Sequence, residues 1–278
     1  MFYFFLYHKA ASMWTQSVFF EVCRVAGWTW DVFWESNTCG DSLPDFVKAH
    51  PTLDLLFVHN PNPEQVMQLG RVAGVRITRD PRDVIASAYR SHRDSHWFPD
   101  GSDNWKYQQT LRNVDPNEGL RLEIDHSIHY LPVLSDWLDH VHQPDVIEFR
   151  FETLTQDPYQ STLDIMEASD RLCGRRSAGH FIRTSLQAVL NRAMGKIGLR
   201  WPMRAVPGGQ VLAALHRHRY QRNAHHRGGE QGKWKRIFSP ENLEYYHHRY
   251  GNLAERMGYE PSFPKPSNLL SLRPSASV

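Results

Sequence analysis

Short apolar runs alternate with amphipathic stretches along most of this sequence. Short apolar runs bounded by polar residues are typical of buried strands. The runs that predict strands are Phe2–Tyr7, Trp28–Trp34, Leu53–Val58, Val75–Thr78 and Val146–Phe149. Near-continuous apolar strands separated by helices indicate a parallel sheet covered on both faces. The pattern therefore predicts an α/β fold, a three-layer sandwich with a central, mainly parallel sheet flanked by helices.

Helices are predicted where apolar residues recur with the period of an α-helix. In Ser12–Ala26, such a stripe contains Val18, Phe19, Val22 and Val25. The sequence of residues 94–103, DSHWFPDGSD, predicts an irregular surface loop. The further predicted helices are Pro81–His92, Asn117–Val141 (one long helix or a pair), Tyr159–Ser169 and Glu241–Met257.

No repeat or linker divides residues 1–260, so we expect one domain there. The Pro- and Ser-rich tail, residues 261–278, is predicted to be disordered. The net charge is only +2, so any anion site must come from local clustering of charges.

Three cysteines, Cys23, Cys39 and Cys173, are few and widely spaced, which suits a reducing compartment. The opening run Phe2–Tyr7 is too short to span a bilayer and lacks the features of a secretory signal. We therefore expect a cytoplasmic protein without a membrane span.

The first candidate anion site is the junction between the first strand and the first helix, His8-Lys9-Ala10-Ala11-Ser12. A helix N-terminus offers free backbone N–H groups to an anion, Lys9 adds a positive charge and Ser12 adds a hydroxyl. Residues 1–26 contain no glycine, so this is not a Walker P-loop. The alternative is a plain strand–helix junction with a solvated lysine.

The second candidate is Arg79-Asp80-Pro81-Arg82-Asp83-Val84-Ile85-Ala86-Ser87, at the end of a predicted strand. Arg79 would lie at the carboxyl end of its strand, where open α/β sheets bind ligands, and its planar fork suits a phosphate. Ser87 adds a hydroxyl. The alternative is that Arg79 is salt-bridged and that Arg82 and Asp83 are surface charges.

The third candidate is Arg227 to Lys235, RGGEQGKWK, which ends a basic stretch that starts at Lys196. Glycines there allow the backbone to present N–H groups to a phosphate. The alternatives are a flexible basic loop or a nucleic-acid patch with Trp201, Tyr220 and Trp234 as stacking platforms.

Together these segments resemble the sulfotransferase family, which moves a sulfuryl group from 3'-phosphoadenosine 5'-phosphosulfate (PAPS) to an acceptor. His8–Trp14 resembles the family's P-K-S-G-T-T-W loop, with Ala10-Ala11 in place of Ser-Gly. Arg79–Ser87 resembles the R-[ND]-P-[KR]-D-x-x-x-S motif, and Arg227–Lys235 resembles R-x-G-x-x-G-x-W-K. Residues 149–158, FRFETLTQDP, are similar to the family's strand and Y-E-D-L turn.

The resemblance implies PAPS as donor co-substrate, with no metal. It implies that the first loop holds the phosphosulfate, that Arg79 and Ser87 hold the 3'-phosphate with the late glycine loop, and that Trp14 stacks on adenine. The residues that it implies for donor binding are Lys9, Ala10, Ala11, Ser12, Met13, Trp14, Arg79, Ser87, Phe151, Thr184, Arg227, Gly228 and Gly229.

The resemblance also implies the catalytic groups. His59 follows a predicted strand, resembles the histidine of the family's K-T-H-L-P segment and is predicted to be the base, with Glu35 in reserve. Lys9 would neutralise charge on the leaving oxygen.

The acceptor class stays open between a small alcohol or phenol, a sugar, a lipid and a peptide, and no nucleic acid is expected. Two other functions stay open: a non-catalytic protein that binds PAPS or its product, and a nucleic-acid-binding module. The sixteen histidines show no zinc-site spacing, so pairs such as His92 and His96 are predicted to be surface residues.

Overall fold

The computed structural model describes residues 1–26, 28–34, 42–172 and 231–262. Within these residues, five strands form one sheet in the order β2-β3-β1-β4-β5, and every neighbouring pair is parallel. The strands are β1 (Phe2–Leu6), β2 (Trp30–Trp34), β3 (Leu55–His59), β4 (Gly74–Thr78) and β5 (Val146–Arg150). The predicted parallel sheet is confirmed, and each strand lies within about two residues of its predicted bounds.

Twelve α-helices are present in the described residues. Nine precede the undescribed segment 173–230: α1 (Ser12–Ala26), α2 (Leu43–Ala49), α3 (Pro63–Gln68), α4 (Pro81–Arg90), α5 (Asp103–Asn113), α6 (Pro116–His126), α7 (Pro132–His140), α8 (Phe151–Gln156) and α9 (Pro158–Leu172). Three follow it: α10 (Trp234–Ile237), α11 (Pro240–Tyr250) and α12 (Leu253–Arg256).

Helices cover both faces of the sheet. Tyr3 and Phe5 of β1 pack in one buried cluster with side chains from α4, α6 and α7. Phe2, Phe4 and Leu6 pack in a second cluster with side chains from α1 and α9 on the other face. Successive side chains of a strand point to opposite faces, so burial of both faces explains the continuous apolar run of β1. The predicted three-layer sandwich is confirmed.

Three predicted elements differ in detail. The helical pattern at Asn117–Val141 is a pair, α6 and α7, separated by a 3₁₀ turn at Ser127–His129, and Pro132 begins the second helix. The predicted helix Glu241–Met257 divides into α11 and α12, because Gly251 takes a positive φ of 57°. Helix α4 continues as a π-helical turn through Ser91–Ser95, so the irregular loop begins at His96.

The segment after residue 230 is fastened to α4 by buried charges. Asp83 accepts hydrogen bonds from the backbone N–H groups of Gly232 (2.6 Å) and Trp234 (2.9 Å). Arg82 lies 3.9 Å above the Trp234 ring and pairs with Asp80 at 2.7 Å. Arg82 and Asp83 are fully buried, so they are structural charges of the interior and not surface charges.

Burial raises the pKa of the Asp83 carboxyl, while the Trp234 N–H group lowers it. Replacing this acceptor with Ala leaves two backbone N–H groups without a partner. We expect Asp83→Ala to lower the free energy of unfolding by about 2–3 kcal/mol, measured by urea denaturation. Asp94→Ala, which removes an exposed aspartate, serves as the control and should change stability by about 0.5 kcal/mol or less. Equal losses in the two variants would contradict this role of Asp83.

Candidate active site

The candidate site lies at the carboxyl edge of the sheet, between the ends of β1 and β4. These strands are neighbours, but the chain leaves β1 toward β2 on one side and β4 toward β5 on the other. Such a reversal opens a crevice at the carboxyl ends of the strands, where open α/β sheets bind ligands. The loops that flank this crevice are His8–Ala11 after β1 and Arg79-Asp80 after β4.

The loop after β1 has an unusual backbone. Lys9 and Ala11 have φ values of 57° and 59°, in the left-handed region that favours glycine. Asn60, at the end of β3, holds this loop by accepting a hydrogen bond from the His8 N–H group at 3.0 Å. Helix α1 begins directly after the loop, at Ser12, and the first N–H groups of a helix have no partner within the helix. The loop therefore has the form of an anion-binding turn.

Lys9 directs its ammonium group toward the carboxyl end of α4. Its Nζ donates a hydrogen bond to Ser91 Oγ at 2.8 Å, beyond the end of α4. Burial lowers the pKa of Lys9 to about 8, with a raising effect of Glu123 and a further lowering effect of Arg79. The two cations therefore lie close enough to repel each other, an arrangement that a bound anion would relieve.

Arg79 is buried and binds the first loop directly. Its Nη1 donates a hydrogen bond to the Lys9 carbonyl oxygen at 2.9 Å, and its guanidinium lies 4.1 Å above the ring of Phe151. Among the described residues, Arg79 Nε has no hydrogen-bond partner. No carboxylate of the described ranges forms a salt bridge with Arg79, so the alternative prediction of a salt-bridged arginine finds no support there.

Other predicted donor-site residues lie in the first loop, on α1 and on α4. Ser12 begins α1, Met13 is exposed, and Trp14 is half-buried against the core cluster on the α1 face. Ser87 is half-buried on α4, and Ala10 is buried. Glu35, Thr184, Arg227, Gly228 and Gly229 lie outside the described residues, although Asp83 holds the segment that directly follows the glycine loop.

His59 ends β3 on the α1 face of the sheet. Its Nε2–H group donates to the Gln16 Oε1 atom at 3.0 Å, and its ring stacks on Trp34 with 3.7 Å between ring centroids. Burial lowers the pKa of His59 to about 4, so the imidazole is neutral at pH 7. Because an amide oxygen accepts only a donated proton, this hydrogen bond assigns the proton to Nε2.

Sequence reasoning missed a second group of histidines. A cavity of about 210 Å³ lies beside the first loop, and its walls are formed by His8, His92, His96, Phe98, Asn104, Tyr107, His126 and Tyr130. His92 is buried, which corrects the prediction that it is a surface residue. The sequence clue was helical spacing, which places His92 one turn after Ala88 and Tyr89 on the buried side of α4, but periodicity alone does not identify the α6 residues that surround it.

No group of three or more His, Cys, Asp or Glu side chains suited to hold a metal ion occurs in residues 1–26, 28–34, 42–172 and 231–262. In the same ranges, every helix is too short or too polar to cross a bilayer.

The arrangement belongs to a known class of fold. Mouse sulfotransferase SULT7A1, solved in complex with PAP, superposes with a TM-score of 0.50 at 12% sequence identity, over 93% of this chain and 88% of that chain. The chain therefore has a sulfotransferase fold. Retinol dehydratase complexes with androsterone and PAP, or with retinol and PAP, match at 14% identity with TM-scores of 0.39 and 0.38, over 95% and 94% of this chain and 82% of theirs. No family model and no curated protein matches the sequence.

The positive φ of Ala11 predicts a response to glycine. Ala11→Gly should raise the free energy of unfolding by about 0.5–1 kcal/mol, because glycine takes this φ without steric cost. The neighbouring Ala10 lacks a positive φ and is buried, so Ala10→Gly should lower stability by about 1 kcal/mol. Thermal and urea unfolding of the two variants measure this difference, and destabilisation by both would refute a strained loop.

The depressed pKa of His59 predicts a loss of stability in acid. Between pH 6.5 and about 4 the unfolded chain binds a proton at this histidine and the folded chain does not, so stability falls as the pH falls. The full contribution is about 3 kcal/mol. His59→Gln should flatten this part of the curve of unfolding free energy against pH, whereas His140→Gln, at an exposed position, should leave it unchanged. An unchanged slope in His59→Gln would show that the His59 ring is open to water.

Proposed function

We propose that this protein is a sulfotransferase that binds PAPS at the carboxyl edge of its sheet and transfers the sulfuryl group to an acceptor hydroxyl or amine. The observation that carries the proposal is the buried guanidinium of Arg79, which lies beside Lys9 and lacks a salt-bridge partner among the described carboxylates. A buried cation is costly unless it is paired, and although the carboxylates of Asp80, Asp83 and Glu152 attract Arg79, none of them forms a salt bridge with it, which favours an anion at this position. The sulfotransferase fold supports PAPS as that anion.

The residues at the crevice fit the two charged ends of PAPS. The helix N-terminus at Ser12 and the ammonium group of Lys9 suit the 5'-phosphosulfate. Arg79, with its Nε donor unpartnered among the described residues, suits the 3'-phosphate together with Ser87 and the glycine loop Arg227–Gly229. The Phe151 ring carries the Arg79 guanidinium on one face, so we assign it to holding that arginine in place.

The donor supplies the sulfuryl group, and the protein supplies position and charge. As in phosphoryl transfer, most of the rate enhancement then comes from alignment and from stabilisation of negative charge. Lys9 would stabilise charge on the bridging oxygen of the leaving bisphosphate. His59 is the base that the family resemblance implies, and its use would require release of its Nε2–H group from Gln16.

Two other functions predict different binding. A non-catalytic protein of this fold would bind PAPS or its product without turnover. A nucleic-acid-binding module would use the basic stretch from Lys196 to Arg236, of which residues 196–230 lie outside the described ranges. The buried position of Arg79 favours a compact nucleotide site over an exposed polyanion surface.

Calorimetric titration with adenosine 3',5'-bisphosphate tests the donor site. We expect micromolar binding to the unmodified protein, much weaker binding of ADP, and little binding of short DNA. Arg79→Ala should weaken bisphosphate binding about 30- to 100-fold, because it removes charge-assisted hydrogen bonds to the 3'-phosphate.

Arg71→Ala is the matched control. Arg71 is an exposed arginine before the amino end of β4, at the opposite edge of the sheet, and pairs with Asp145. Its loss should leave the affinity unchanged within about threefold. Equal affinity for the bisphosphate and ADP, or tight salt-sensitive binding of DNA, would reject the sulfotransferase proposal.

A further inference from the structure

A buried pair, His92 and Glu123, lies in the wall of the cavity beside the first loop. The Glu123 carboxylate lies within 3.1 Å and 3.0 Å of His92 Nδ1 through its two oxygens. Tyr107 and Tyr130 donate their hydroxyl protons to the same carboxylate at 3.0 Å and 2.8 Å. Glu123 is fully buried, and its negative charge is held by these three donors.

The pairing fixes the tautomer of His92. An ionised carboxylate only accepts hydrogen bonds, so Nδ1 must carry the imidazole proton. In the neutral ring, Nε2 is then the basic atom, and within the described residues no hydrogen bond engages it. This is the opposite of His59, whose Nε2 carries the proton and donates to Gln16. Orientation of a histidine by a carboxylate on its far nitrogen is the arrangement that general-base catalysis requires.

The cavity adjoins the candidate phosphosulfate loop. His8 forms part of its wall and directly precedes Lys9 in that loop. Lys9 Nζ donates to Ser91 Oγ, and Ser91 Oγ lies 3.5 Å from Nδ1 of His96, another wall residue. The Ser91 hydroxyl therefore links the Lys9 ammonium group to His96, which lies in the same cavity wall as His92.

The cavity, which is partly open to solvent, has room for at least one ring. A cavity of about 150 Å³ is large enough for benzene, so about 210 Å³ accepts one ring with a small substituent. Aromatic and imidazole rings form most of the wall, which suits a flat molecule. His8 Nε2, buried and without a hydrogen-bond partner in the described part of the chain, offers a further polar contact.

We propose that this cavity binds the acceptor, a hydroxyl compound of about one ring, and that His92 is the base that takes its proton, with Glu123 as a positioning residue. This inference rests on the proposed sulfotransferase function. The acceptor hydroxyl gives its proton to His92 Nε2 while its oxygen forms a bond to sulfur. The bond between sulfur and the bridging phosphate oxygen breaks, and adenosine 3',5'-bisphosphate leaves with that electron pair. The imidazolium formed at His92 is stabilised by the Glu123 carboxylate.

The kinetic test needs no identified natural acceptor. Release of labelled sulfuryl groups from PAPS is measured with 4-nitrophenol as a one-ring probe and with water alone, and bisphosphate affinity is measured separately by calorimetry. His92→Gln should lower the release rate about 100-fold or more while bisphosphate affinity stays within threefold. His140 is exposed and does not line the cavity, so His140→Gln is the control. It should change neither the release rate nor the bisphosphate affinity.

Glu123 is tested through variants that keep its size or its charge. Glu123→Gln should lower kcat and leave the KM for PAPS unchanged, and Glu123→Asp should restore part of kcat. The assignment of the base is overturned if the release rate of His92→Gln stays within fivefold of that of the unmodified protein. It is also overturned if the release rate falls only in His59→Gln. In both cases the proposed function stands. Bisphosphate binding without any release by the unmodified protein overturns the catalytic proposal, and absence of bisphosphate binding rejects the proposed function itself.

A spectroscopic readout is independent of activity. In long-range ¹H–¹⁵N spectra of the unmodified protein, the His92 imidazole, assigned through its own backbone resonances, should have a protonated Nδ1 and an unprotonated Nε2. Addition of 4-nitrophenol should shift its Nε2 resonance. A protonated Nε2 at this histidine would overturn the proposal, and this measurement does not depend on the folding of any variant.

Discussion

One buried cation joins the two loops of the candidate site, and the remaining features of the site depend on that contact. Arg79 leaves β4 and donates to the carbonyl oxygen of Lys9, so the loop after β1 cannot move independently of the loop after β4. The Phe151 ring supports the guanidinium from β5's side of the sheet. Three neighbouring strands therefore contribute to one rigid charged centre, as the parallel topology allows.

The charged residues of the motif Arg79–Ser87 have two kinds of contact: one joins the loops of the candidate site, and the others hold the late segment of the chain. Arg79 donates to the loop after β1, whereas Arg82 and Asp83 form buried contacts with the segment after residue 230 and Asp80 pairs with Arg82. Arg82 also donates to the carbonyl oxygen of Glu260 at 2.9 Å. Charges that look alike in the sequence thus have different roles, because Arg79 precedes the helix whereas Arg82 and Asp83 lie on its first turn. The first turn of α4 joins the late chain to the same edge of the sheet as the crevice.

The fold could be predicted from the sequence because its main determinant is local. Buried parallel strands need apolar side chains on both faces, so Phe2–Leu6 and Leu55–His59 are visible as apolar runs. The break of the last helix at Gly251 was not predicted, since an isolated glycine is tolerated within a helical pattern.

The site was predicted only where it follows a contiguous motif. Lys9 and Arg79 were predicted to belong to this edge because each follows a strand at its carboxyl end, and the structure brings them together. The cluster of His8, His92 and Glu123 was not found, because its members come from three separate elements whose proximity is set by packing of α6 against α4. The hydrogen bond from His59 to Gln16 was also not predicted, because it joins residues that are 43 positions apart and belong to different elements.

The left-handed backbone of Lys9 and Ala11 has a consequence for affinity. A loop that is flexible when empty must be ordered by its ligand, and that ordering weakens binding. Here the unfavourable φ angles are imposed by the folded surroundings, including Asn60 and Arg79, before any ligand arrives. The strain is thus a cost of folding and not of association. The protein gives up some stability for a loop whose shape is set on folding, so a ligand of this loop would not have to order it.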